Sequence, residues 1–539
     1  MLRKYRFLFL PVIFITFSSW KKHDGGSEYN IADFGAKGDG ITANTKVIND
    51  VIEKCSAAGG GTVIIPTGIF VSGTIILQSN VNIQLSQGAV LKGSGDTLDY
   101  LPLKDASLFR EGYTHYGLIL AMSAKNISIS GHGQINGNGT HFMNSIDKPH
   151  IGNDFVRKYT RQGENYMKTG AVFEDGPLSY PYRPGYMINF EHCENIHIND
   201  VYIYDSPEWT VRISDCDHAI VKAVTIENNV LIPNNDGINC SNSRNINISD
   251  CNISTGDDAI IVNGFSTQPY HEKPESVLPD KNIIGNKTDK AEYVTVSNCV
   301  LSSRSACIRI GDGEHPIRNL VFSNLVMYAS NRGIGIFSRS NTQIENIIFS
   351  NIIMHTRLFS GHWWGKAEPI HISAVKDYAG GNGGKVKDIR FIDIIADAEN
   401  GIIINGSASS IIENVLLERV KLNIHAGKYT NDYGGNFDLR PAYPEDSALF
   451  KHDIPGLYAQ YVKNMVVSNT EINWDKNLPS FFTNGIEVDH FNGLTIENCH
   501  SSSSSNSEGL AAIKLKNGIG EILRSNFVTN GSVDLIKDK

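Results

Sequence analysis

The chain has 539 residues, 41% of them hydrophobic and 19% charged, a globular composition that excludes a disordered chain or a coiled coil. Its 48 Lys and Arg against 57 Asp and Glu leave a net charge of −9, which argues against a general nucleic-acid binder. An acidic polysaccharide stays open, because a local basic patch can sit on an acidic protein. By length alone about three ordinary domains would fit.

In chain order, Arg3, Lys4 and Arg6 precede a short apolar run, Phe7 to Phe17, followed by the small residues Ser18 and Ser19. This pattern predicts an export signal over residues 1–22, hence a secreted or periplasmic protein with no stable membrane insertion. Asn44 to Ala57 places Val47, Ile48, Val51, Ile52 and Cys55 on one helical face, and Gly59, Gly60 and Gly61 end it. A strand is expected next, over Thr62 to Ile65.

From there one pattern returns. Alternating apolar residues are followed by a polar residue and then Asn or Asp. It reads Val224-Thr225-Ile226-Glu227-Asn228, Ile246-Asn247-Ile248-Ser249-Asp250 and Val294-Thr295-Val296-Ser297-Asn298. It continues at Phe322-Ser323-Asn324, Phe349-Ser350-Asn351, Val467-Ser468-Asn469 and Ile496-Glu497-Asn498, with neighbouring steps of 22, 26, 27 and 29 residues. Short period-two strands recurring at this interval indicate a β-solenoid. Asn suits its corners, because it tolerates the left-handed conformation and can bond to the next Asn in a stack. The N-terminal helix then caps the stack. No Pro/Ser-rich linker interrupts the sequence, so residues 27–539 are read as one domain.

Eight cysteines invite a disulfide framework in an exported protein. Cys193, Cys216, Cys251, Cys299 and Cys499 recur at similar places in the repeat, however, which suits small apolar residues stacked between coils. No C-x-x-C or metal-ligand spacing occurs. No metal and no cofactor are expected.

A solenoid offers a long groove for a linear polymer, with reacting groups supplied by adjacent coils. Asn234-Asn235-Asp236-Gly237 and Gly256-Asp257-Asp258-Ala259 meet this condition, Asp236 and Asp257 lying 21 residues apart. Stacked coils are about 4.8 Å apart, so the three carboxylates would cluster and at least one pKa would rise. Glycoside hydrolysis needs a protonated acid beside an ionised base. Turn chemistry alone would also place N-D-G and G-D-D here.

These motifs resemble glycoside hydrolase family 28, the polygalacturonases and rhamnogalacturonases. The resemblance runs through Ile31-Ala32-Asp33-Phe34-Gly35, Ile129-Ser130-Gly131-His132-Gly133, Arg183-Pro184 and Ser206-Pro207-Glu208-Trp209 to the two acid motifs. It implies an all-β, right-handed parallel β-helix and an inverting hydrolase of pectic polysaccharides or oligosaccharides, working as a monomer. In that scheme Asp257 protonates the leaving oxygen, while Asp236 and Asp258 activate water. Two family elements are replaced. The G-H-G motif falls at Ser305-Ala306-Cys307, and the basic pair of R-I-K at Gly335 and Phe337. Either other cations stand in, with Arg309, Arg332 and Arg339 nearby, or the bound sugar is not galacturonate.

Substrate contacts are expected from Asn234, Arg309 and Arg339. The segment His362-Trp363-Trp364-Gly365-Lys366 adds Trp363, Trp364 and Lys366, where aromatic faces suit sugar rings. Asp438, Leu439, Arg440 and Pro441 form a further loop able to reach the groove. Trp209 reads as packing within a strand-like stretch. Inserted loops around residues 140–180 and 265–290 would block one groove end and favour attack at chain ends. Two other classes fit the scaffold. One is a calcium-dependent polysaccharide lyase with the acids as a cage, and the other a non-catalytic carbohydrate-binding protein of the adhesin or tailspike kind.

Overall fold

The computed structural model describes residues 27–103, 114–144, 160–169, 174–180, 182–265, 289–339, 341–361, 363–376, 383–444, 448–505, 508–528 and 533–538. The expected export signal over 1–22, His362 and most of the expected loop at 265–290 lie outside these residues. Within them the chain is a right-handed parallel β-helix, nearly all of whose strands pair in parallel from coil to coil. No helix is long and apolar enough to cross a membrane among the described residues.

The first helix spans Thr45–Ala57 and buries Ile48, Val51, Ile52 and Cys55. Asn44 precedes it with a buried side chain that accepts from the Lys37 amide at 2.7 Å and donates to the Thr42 carbonyl at 2.7 Å. The strand Gly61–Ile65 follows and pairs with both Ser27–Asn30 and Val81–Leu85.

The core is built from columns of like residues. Ile248, Val296, Phe322, Phe349, Phe391 and Leu417 occupy one register position through six coils. The rings of Phe322, Phe349 and Phe391 stack at 4.9 and 5.0 Å. Each such pair is worth about 0.5–1.5 kcal/mol beyond the apolar area it buries. Asn298, Asn324 and Asn351 turn the corner in the left-handed region, with φ of 56, 56 and 55°. Each donates its side-chain amide to the corner residue of the preceding coil, at 3.2 Å in all three cases.

The repeat needs one correction. Val224–Asn228 does not stack on Ile246–Asp250. Ile226 pairs with Ile253, whereas Ile246 pairs with Ala219 and Val294. The alternating motif occurs on two successive sheets of each coil, so a 22-residue step compared different sheets. Outside the core, one surface column alternates charge: Arg244, Glu292, Arg318, Glu345, Lys387, Glu413 and Lys463 follow in register.

One sheet differs from the others. Its strands include Val211–Ser214, Ile238–Ser241, Ile260–Gly264, Ala306–Gly313, Arg332–Ser338, Ile370–Ala374 and Ile402–Asn405, paired in that order. They are buried on both faces almost throughout, while the strands of the neighbouring sheets alternate. Among the described residues, the connections before Ile370–Ala374 and before Leu457–Ser468 lead into strands of this sheet.

Candidate active site

Asp236 and the Asp257-Asp258 pair each precede a strand of this covered sheet. Ile238 pairs with Ile260, and the Gly237 amide donates to the Asp258 carbonyl at 2.9 Å. The ladder step is therefore 22 residues, so the backbone of Asp258 lies beside that of Asp236. Asn235 locks the two turns together. Its side-chain carbonyl accepts from the Gly256 amide at 2.6 Å, and its amide donates to the Asn229 carbonyl at 2.8 Å. A side chain at Gly256 would meet the Ile232 carbonyl oxygen at 2.3 Å, and one at Gly237 the Ala259 oxygen at 2.3 Å. Both glycines are required by close backbone approach.

Each acid has a distinct setting. Asp236 is buried, its Oδ2 accepting from the Asn239 side-chain amide at 3.2 Å. Burial, then the charges of Asp257 and Asp258, raise its proton affinity well above the usual carboxylate range. Asp257 keeps partial exposure and accepts from the amides of Asn234 at 3.2 Å and Asp258 at 3.0 Å. Burial of its carboxyl and the neighbouring Asp258 push it up to about 7, against the opposing pull of Arg309. Asp258 is buried and fully engaged, Oδ1 with the Ala306 amide at 2.8 Å and Oδ2 with Arg309 Nη1 at 3.0 Å.

The structure brings Arg309 to the acids, but Arg339 less directly. Arg309 is in register with Gly335, one coil before it. It also pairs with Asp312. Arg339 is buried, donating to Asp312 at 3.0 Å and to the Arg440 carbonyl at 2.9 Å. Both guanidiniums, and that of Arg332, lie around the Phe337 ring at 5.7, 4.7 and 5.0 Å. Asn234 adopts the left-handed conformation and gives its side-chain oxygen to Arg183 at 3.2 Å.

The double-Trp segment does not act as a unit. Trp364 is 37% exposed, with Arg309 5.7 Å from its ring. Trp363 is buried and donates to the Asp175 carbonyl at 2.9 Å. Lys366 is buried too, bonded to Thr160 and the Tyr433 carbonyl at 3.1 and 3.3 Å and set against the Tyr433 ring. Burial, then the nearby Arg440, lower its pKa well below that of a free lysine.

Three features were not read as functional from the sequence. Glu208 and Arg183 form a fully buried ion pair, and Glu208 is close enough to raise the proton affinity of Asp236. Asp312 holds both Arg309 and Arg339. Trp209 lies in a turn, not a strand. Its half-buried ring stacks on Tyr186 at 4.8 Å, in the row that continues to Asp236. Arg183, Glu208 and Trp209 lay within the segments that carried the resemblance, and Trp209 stands two residues before a strand, as Asp236 does.

Among known proteins, the family model described as "Glycosyl hydrolases family 28" matches residues 162–269, which contain all three aspartates. Over these residues the chain is similar to glycoside hydrolase family 28. The chain is 28% identical over 352 residues to an exo-poly-α-D-galacturonosidase of Dickeya chrysanthemi, covering 56% of this chain and 58% of that protein. It is 28% identical over 244 residues to a probable polygalacturonase of Vitis vinifera, covering 43% of each. It thus spans about half the length of these curated relatives. The crystal structure of a hyperthermoactive exopolygalacturonase from Thermotoga maritima shares its fold at TM-score 0.60 and 21% identity, covering 83% of this chain and 92% of that one.

Proposed function

We propose that the protein is an exported, inverting glycoside hydrolase that cleaves glycosidic bonds in pectic polysaccharides or oligosaccharides. The observation that carries this reading is the carboxylate cluster, in which a partly exposed Asp257 titrates near 7 beside two buried acids. Asp257 is the one member turned to the surface, so it is the group that protonates the leaving glycosidic oxygen. Asp236 and Asp257 lie close enough to raise each other's proton affinity, so the upper value belongs to the pair. Asp258, opposite the Arg309 guanidinium, draws the proton from the attacking water, and Asp236 helps to position that water. Inversion needs room for that water between acid and base, about 6.5–9.5 Å.

The relatives carry polygalacturonase names, and the same polymer class is the first substrate to test. Specificity should differ, because Arg309 is already shared between Asp258 and Asp312, and Arg339 between Asp312 and a backbone carbonyl. A uronate would have to displace these partners, each charge-assisted bond being worth about 1.5–3 kcal/mol. Weak action on plain polygalacturonan and better action on branched or short pectic substrates are expected. Trp364 offers the exposed face on which a sugar ring stacks, while Asn234, Trp363 and Lys366 hold the surrounding loops in place.

The experiment is a panel of pectic fragments assayed with and without chelator, with product stereochemistry followed by NMR. Undiminished activity in EDTA and a saturated, inverted product are expected. Activity lost in EDTA and restored by calcium, with an ultraviolet-absorbing unsaturated product, would favour the lyase.

A further inference from the structure

The segment Asp438–Tyr443 crosses the covered sheet from one edge to the other. At the entry edge, the Asp438 amide donates to Glu368 at 2.8 Å and its carbonyl accepts from Arg332 at 3.2 Å. Arg332 and Glu368 stand at the start of successive coils of the sheet, next in the row after Asp236, Asp258 and Ala306. At the exit edge, the Arg440 carbonyl accepts from Arg339, which follows the strand Arg332–Ser338. The Tyr443 amide donates at 2.8 Å to the carbonyl of Lys376, which follows the strand Ile370–Ala374. A chain tied to both ends of two adjacent strands runs over their outer face, since the inner face is the apolar core. Beneath it, Phe337, His371 and Ser373 are buried although they point outward.

The crossing is pinned by charge. Arg440 grips Asp438 through Nε at 2.9 and 3.0 Å and Nη2 at 2.7 Å, and donates to the Trp363 carbonyl at 2.6 Å. Burial alone would raise the Asp438 pKa, but Arg440 and Arg332 hold it below the usual carboxylate range. Asp438 therefore keeps its charge for the Arg440 guanidinium. On the acids' side of the crossing, Asp257, Arg309, Asp312 and Trp364 all keep some exposure. On the strands under it, no side chain does.

We infer that the groove is closed by this strap, so that the site is a pocket engaging the end of a glycan chain and removing one or two sugar units per cut. The strap begins two coils beyond Asp258, about 10 Å at the usual coil spacing. A polymer lying in the groove cannot pass it. This rests on the hydrolase reading above, and it turns on residues 438–443 rather than on the acids.

The test uses the intact protein and pectic oligosaccharides of defined length, fluorescently labelled at the reducing end, alongside a viscous pectic polymer. Stepwise shortening by one fixed unit, with viscosity lagging far behind the release of reducing ends, is expected. Early products of intermediate length with a prompt fall in viscosity would overturn the inference while leaving the hydrolase standing. Cleavage of no pectic substrate at all would overturn both. The Arg440→Ala variant unpins the strap and should shift the products to longer fragments. If it melts as the wild type does and still releases the same single unit, the strap is not the stop. If it fails to fold, the wild-type product series decides alone.

Discussion

Asp257→Asn should remove activity and, at alkaline pH, make the protein more stable. The carboxyl moves from an ordinary 3.8 to about 7 in the folded chain. A raised folded pKa means that the native state binds the proton more tightly. The penalty for charging the group is therefore absent below the unfolded value and complete above about 7. At 1.36 kcal/mol per unit it amounts to about 1.6 kcal/mol at pH 5 and about 4 kcal/mol at pH 8. Asparagine escapes it, but one of the two amides that Asp257 accepts from, Asn234 or Asp258, loses an acceptor. That loss costs about 1–3 kcal/mol. The net effect is a melting temperature near or below wild type at pH 5 and above it at pH 8. Turnover should fall by at least about 10²–10⁴, the usual value of general acid catalysis. In the wild type, activity should decline as pH rises through about 7, as the acid loses its proton. Melting curves at the two pH values and initial rates on the preferred oligosaccharide provide the measurements. An active variant would refute the acid role. An equal loss of melting temperature at both pH values would refute the electrostatic account.

Trp364→Ala should lower kcat/KM with little change in melting temperature, since its ring is exposed, whereas Lys366→Ala should lower the melting temperature by leaving a cavity against Tyr433. Kinetics and thermal melts on the two variants separate these outcomes. Asn324→Ala keeps a left-handed corner without the residue that tolerates it and should lose about 1–2 kcal/mol in denaturant unfolding. All eight cysteines are buried and free, so a reducing agent should leave the melting temperature unchanged.

The order of the chain alone carried the solenoid, its capping helix and the acids. Alternation, Asn corners and an amphipathic stretch are local patterns, and a solenoid is assembled from local patterns repeated. The Asn reading held in detail because each corner residue meets only its copies in the adjoining coils. Even here the step from Val224 to Ile246 misled, because one motif serves two sheets and sequence spacing does not say which sheet a strand joins. The acids were legible for the same reason, their separation being close to one coil. That Asp258 rather than Asp257 stacks beside Asp236 depends on a 22-residue register visible only in the ladder. Contacts between distant loops were decided by the tertiary structure. Lys366 reads as a sugar ligand in sequence, yet Thr160 and Tyr433 enclose it from segments 206 and 67 residues away. Arg309 and Arg339 read as cations available to substrate, but Asp312 bonds to both and Asp258 to Arg309. The strap at Asp438–Tyr443 acquires its place from Glu368, Arg332, Arg339 and Lys376, partners 67 to 106 residues away in the chain. Which charges meet across such distances is set by how loops pack over a finished sheet, and no local pattern in a sequence encodes it.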